Sequence, residues 1–177
     1  MMIRTAAVAL VLFASTAFAG DIKSGPQMGE KVPGPFHPLN INGSAAGKKN
    51  CLFCSNGQKP VAMIFARDVD TNLVSLIKKI DSTTKEDKTG SFVVFLSDDK
   101  NLEKKLEEVA KKEGLKQCVL SIDNPAGPKG YNVSEKADVT VVLYKDRVVE
   151  ANYSFSKGEM KDKDIDTIVS TFEKISK

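Results

Sequence analysis

The run Pro60 to Ala66, "PVAMIFA", is continuously apolar and lies between Lys59 and Arg67. Such a run is predicted to be a central strand buried on both faces, because a half-exposed strand would alternate with polar residues. Asp70 follows as a helix cap, and Leu73, Leu76, Ile77 and Ile80 then recur at helical spacing. After the loop "TTKEDKTG", Phe92 to Leu96 predicts a second buried strand. "SDDKNLEKKLEEVAKKEG", residues 97–114, predicts a helix with Leu102, Leu106, Val109 and Ala110 inward and Gly114 as its stop. Gln117 to Ile122 is a third strand and contains Cys118. "DNPAGPKGYNVSEKA" is a connection punctuated by Gly and Pro. "DVTVVLY" and "VVEANYSF" flank Lys145-Asp146-Arg147, the pattern of a hairpin turn. Ile165, Ile168, Val169, Phe172 and Ile175 stripe a final helix. The order β-α-β-α-β, β-hairpin, α predicts an α/β fold: a three-layer α/β/α sandwich around a mixed central sheet.

The N-terminus has a different pattern. "MMIRTAAVALVLFASTAFAG" reads as an export signal: Arg4 is the charged region, Ala6 to Phe13 the apolar core, and Ala17-Phe18-Ala19 a small-x-small cleavage site. The apolar core is shorter than the roughly 20 residues of a bilayer span. Cleavage after Ala19 is expected to release a periplasmic or secreted protein with no membrane span; the short signal itself fits a bacterial or a eukaryotic source. Residues 20–47 read as an extended Gly/Pro-rich arm, with a short strand or turn near Leu39 to Gly43. Residues 48–177 are the domain proper.

Charge narrows the function. The formal net charge is +3 across 177 residues, and the lysines are scattered among acids rather than clustered. That is no nucleic-acid footprint. The chain has one histidine, His37, in a Pro-flanked stretch, and no Ser-His-Asp set is recognisable. It has no Gly-rich phosphate loop and no convincing carboxylate pair, and nothing in it calls for a cofactor. Arg67 to Asp70, "RDVD", reads as a solvated helix start, with a polar pocket at Arg67 and Asp68 as the functional alternative. Asn42, Asn132 and Asn152 each begin an Asn-x-Ser triplet, which matters only in a eukaryotic secretory pathway.

The element order, with "GEKVPGPFHPLNINGS", "LEEVAKKEGLKQCVLSIDNPAGPKGYNVS" and "DVTVVLYKDRVVEANYSF", resembles the redoxin branch of the thioredoxin-like superfamily. This is the branch of the alkyl hydroperoxide reductase and thiol-specific antioxidant proteins. The resemblance covers roughly Gly29 to Ile175 and implies that fold. The chain departs from the family at its working end. Redoxins place their cysteine in the turn after the first central strand, and here that turn is "ARDVDTN", Ala66 to Asn72, with no cysteine. The peroxidatic Pro-x-x-x-Thr-x-x-Cys phrase is absent. So is the proline expected near Ala137 to Thr140, and there is no Trp.

The cysteines stand elsewhere. Cys51 and Cys54 form a Cys-x-x-Cys pair ahead of the strand, and "SNGQKP" behind it leaves room only for a turn or a short helical hook. A full helix dipole is therefore missing, with Lys48, Lys49 and Lys59 nearest in sequence to supply positive charge. Three readings remain open. The first is a displaced thiol–disulfide exchange site with catalytic Cys51 and Cys54. Its partners would be protein thiols or disulfides or a redox partner protein, and redox motifs by analogy make Cys51 the attacker. The second is a catalytically inactive redoxin-fold binding protein with a structural disulfide, in which Cys118 either pairs with one of the two or is a buried core residue. The third is zinc or copper held by Cys51, Cys54, Cys118 and His37.

Overall fold

The computed structural model describes residues 22–177. The expected export signal and cleavage site lie outside the described residues. The chain forms β1 (Leu39–Asn40), α1 (Leu52–Asn56), β2 (Val61–Ala66), α2 (Thr71–Thr83), β3 (Gly90–Leu96), α3 (Leu102–Glu113), β4 (Cys118–Asp123), β5 (Val139–Lys145), β6 (Val148–Phe155) and α4 (Asp162–Ile175). The sheet is mixed and six-stranded in the order β1-β4-β3-β2-β5-β6. β2, β3 and β4 run parallel, while β1, β5 and β6 are antiparallel to their neighbours.

Local chemistry explains most boundaries. Asp70 caps α2, its carboxylate accepting the Leu73 N–H at 2.7 Å. Gly114 ends α3 in the left-handed conformation. Asp146 and Arg147 both have positive φ, 53° and 63°, as the tight hairpin turn between β5 and β6 requires. One sequence boundary is corrected. The helix expected over residues 97–114 begins at Leu102, because Ser97 Oγ accepts the Asp99 N–H and Asp99 Oδ1 the Asn101 N–H. These two bonds hold the chain in turns until Asn101.

Strand alternation divides the interior in two. Ala62, Ile64, Val93, Phe95, Cys118 and Leu120 point to the face covered by α2, α3 and α4. Val61, Met63, Phe65, Phe92 and Val94 point to the other, which carries α1, the arm residues Val32 and Phe36, and Tyr131 from the β4–β5 connection. The long helices share a face for a topological reason. The chain steps from β2 to β3 to β4 in one direction, and right-handed crossovers then fall on one side. The opposite layer is thin. Phe36 anchors it edge-on to Tyr131, ring centroids 4.9 Å apart, and the arm bonds to β6 through Gly29 N–H to Val149 O and to the hairpin turn through Val32 N–H to Arg147 O.

Candidate functional site

Cys51 and Cys54 are joined by a disulfide, with Cα atoms 5.2 Å apart. The hook anticipated after them is α1, five residues long, with Cys51 as its N-cap. Cys51 Sγ accepts the Cys54 N–H at 3.1 Å, and Cys51 O accepts the Ser55 N–H at 3.0 Å. Leu52 and Phe53 turn into the thin layer. Gly57, at φ 59°, ends the turn with its N–H on Cys54 O. Asp146 N–H donates to Gln58 O, tying the hairpin turn to the hook.

The two sulfurs have unequal surroundings. Cys51 is 6% exposed and packed in the thin-layer core, whereas Cys54 is exposed. The analogy that made Cys51 the attacker therefore meets the opposite exposure: of the two residues, Cys54 is the one at the surface. Arg147 lies over the Phe53 ring, 5.0 Å from its centroid, and brings a cation to the hook. No sequence signal pointed to that contact, because turn residues and hook residues lie far apart along the chain.

The other candidate ligands are not assembled with the pair. Cys118 is a free thiol, fully buried on the opposite sheet face, and burial pushes its thiol up to about 12. His37 is exposed in the arm. Among the described residues there is no group of three His, Cys, Asp or Glu side chains able to hold a metal. The Cys₃His set and a bridge to Cys118 are thus both set aside: one sheet separates the thiols, and two of them are already bonded to each other.

The pair also sits at the wrong end for a redoxin. It precedes Val61, where β2 begins, while the redoxin turn follows Ala66, where β2 ends. At that far end Arg67 is tied to main chain, its guanidinium donating to Ala137 O (3.1 Å), Pro125 O (2.9 Å) and Ser134 O (3.3 Å). Asp68 bonds Lys157 Nζ at 3.1 Å, which holds its carboxyl below the ordinary range. Asp138 is held above that range by burial and by the nearby Asp70 and Asp68. All peptide bonds among the described residues are trans. Two of the Asn-x-Ser amides are likewise in use: Asn42 brackets β4 by bonds to Cys118 O and Leu120 N–H, and Asn152 donates to Ser24 O and Pro26 O.

No family model matches this chain, and neither does any curated protein. Solved structures do. A candidate protein disulfide isomerase from Bacteroides thetaiotaomicron aligns with TM-score 0.64 and 14% identity, covering 87% of this chain and 94% of that one. A DsbF homologue from Corynebacterium diphtheriae aligns at 0.60 and 12%, covering 83% and 90%. Thiol peroxidase from Chromobacterium violaceum aligns at 0.56 and 14%, covering 89% and 94%. These likenesses show the fold, which is thioredoxin-like, as the sequence resemblance implied.

Proposed function

We propose that this chain is an exported thiol–disulfide exchange protein acting through Cys51 and Cys54. The observation that carries the reading is the asymmetric disulfide: one exposed cysteine, and one buried cysteine whose sulfur already accepts an N–H. A partner thiolate attacks Cys54 Sγ. The Cys51–Cys54 bond breaks, and its electron pair leaves on Cys51 Sγ, where the Cys54 N–H meets the charge. A second partner thiolate then attacks the partner's own sulfur in the mixed disulfide and expels the Cys54 thiolate. The partner loses two electrons as a new disulfide, and the protein, after taking up two protons, holds two thiols. The reverse sequence reduces a partner disulfide. The N-terminal export signal sets the reaction outside the cytosol, where disulfides persist. No helix among the described residues is long and apolar enough to cross a membrane.

A second reading has its own observation. The redoxin end holds Arg67 locked on three carbonyls and no cysteine, as a partner-binding redoxin fold with a structural disulfide would. Redox titration of the protein from Gly20 onward, with mass-spectrometric mapping of the bridge, separates the two. A Cys51–Cys54 couple between about −120 and −270 mV is expected for exchange, whereas a value below about −300 mV assigns the bridge to structure. In the same titration Cys51→Ser is expected to accumulate a mixed disulfide on Cys54 at least ~10-fold faster than Cys54→Ser does on Cys51, because only Cys54 is open to attack.

A further inference from the structure

The hairpin turn between β5 and β6 places Arg147 against the hook. Asp146 N–H donates to Gln58 O just behind α1, and Arg147 O accepts the Val32 N–H of the arm at 2.9 Å, so the turn is held from two sides. The guanidinium carbon of Arg147 lies 5.0 Å from the Phe53 ring centroid. Phe53 is buried and Arg147 is exposed, which puts the cation on the solvent side of the ring.

The donors of that guanidinium are unspent. Among the described residues the other arginine, Arg67, is bonded to three carbonyls, and Lys78, Lys79, Lys105 and Lys157 are in ion pairs, whereas Arg147 has neither kind of partner. A cation–π contact through the guanidinium leaves the N–H donors in its plane free. The ring also holds the group in place, which a surface lysine on a flexible stem lacks.

Helix geometry sets Cys54 on the same flank. At about 3.6 residues per turn, Leu52, Ser55 and Asn56 share one side of α1, and there all three line a cavity against Gly90 of β3. Phe53 and Cys54 fall together on the other side. Cys54, the exposed cysteine, therefore adjoins the ring that carries Arg147. Lys31, bridged to Val148, and Lys145 accompany Arg147 on this side, against Glu30 and Asp146. Glu30 is already engaged by the Gln27 N–H at 2.8 Å.

We propose that Arg147 receives a carboxylate of the partner polypeptide, an Asp or Glu side chain close to the partner's reacting cysteine. The proposal rests on the exchange reading and names its substrate class. A carboxylate offers two acceptor oxygens to the guanidinium fork, whereas a neutral amide offers one and an ammonium none. Phe53 and Cys54 are adjacent, and an extended chain advances about 3.5 Å per residue, so the acid is expected within about two residues of that cysteine.

The test uses the oxidised protein and three thiol probes, N-acetyl-Glu-Cys-Gly-amide and its Gln and Lys counterparts. Opening of the Cys51–Cys54 bond is timed by acid quenching and mass spectrometry, and each rate is divided by the probe's thiolate concentration. The Glu probe is expected to react about threefold or more faster than the Gln probe, the size of an exposed ion pair. That ratio is expected to fall to about one in Arg147→Gln, and in Arg147→Glu the Lys probe is expected to become the fastest. Lys163→Glu makes the same charge change on the exposed side of α4, across the sheet, and is expected to keep the wild-type order. An effect of Arg147 on the leaving sulfur alone would speed all three probes alike and leave their ratios unmoved. Equal rates in the wild type, a preference that survives Arg147→Gln, or one lost as fully in Lys163→Glu overturns the proposal. If the probes open the bond at equal rates, the carboxylate assignment falls and the exchange reading stands. If no probe opens it, the exchange reading falls and takes the assignment with it.

Discussion

At the residue scale, Asp138 lies near the end of β2 away from the cysteines, the end at which redoxins place theirs. It stands just before β5, near where redoxins carry a proline, and feels the charges of Asp70 and Asp68 against those of Lys157 and Arg67. Burial comes first among the influences on it and the two acids reinforce that, so the fold prefers its neutral form. The sign of the linkage follows. A carboxyl whose folded pKa lies above its unfolded value of 3.8 subtracts stability once it ionises, and the penalty disappears below 3.8. Asp138→Asn is therefore expected to stabilise the protein at pH 7 by about 0.5 kcal/mol, with the gain shrinking to nothing as pH falls below the ordinary carboxylate range. Denaturant unfolding at pH 7 and pH 3.5 checks it; equal gains at both values would mean that charge is not the cause. Single residues of this kind were partly legible. The Asp70 cap and the Gly114 stop act through neighbours in sequence, so they could be read directly. The company of Asp138, and the cation of Arg147 over Phe53, arise from residues brought together only by the fold.

At the scale of elements, the hook depends on a glycine in another strand. Gly90 opens β3, and an added Cβ there would overlap the side-chain amide of Asn56. Asn56 cannot simply swing away, because its Nδ2 holds Leu52 O inside α1. Gly90→Ala is expected to destabilise the protein by about 1–3 kcal/mol through this overlap. Combined with Asn56→Ala it should cost less than the two single losses together, with a coupling of about 1 kcal/mol measured by a double-mutant cycle in urea. Strict additivity would show that the hook and β3 are independent. The long elements of the chain were readable because each carries its own periodicity over a dozen residues. α1 could be anticipated only as a hook, since five residues hold little more than one helical turn. The start of α3 was misplaced because "SDDKN" has helix-compatible residues whose short polar side chains bond the local backbone instead.

At the scale of the whole molecule, the sheet decides what each cysteine can do. The apolar runs show that β2 and β3 are buried on both faces, yet they do not say which face takes the helices. Strand order does, by sending both crossovers to one side. Cys118 is thereby sealed under the helical layer, while Cys51 and Cys54 lie in the thin layer opposite, outside the cooperative packing of α2, α3 and α4. A bridge between residues three apart closes a very small loop, so it restrains the unfolded chain weakly, by about 2 kcal/mol or less. Reduction is thus expected to lower the melting temperature by only about 4–8 °C and to leave the fold in place. Thermal unfolding with and without a phosphine reductant measures this, with Cys118 unmodified by iodoacetamide below the transition as the control for an intact core. A much larger drop, or labelling of Cys118 on reduction, would make the bridge a structural staple. A small drop leaves a thioredoxin-like scaffold whose disulfide can open and close without unfolding the protein that carries it, as reversible exchange requires.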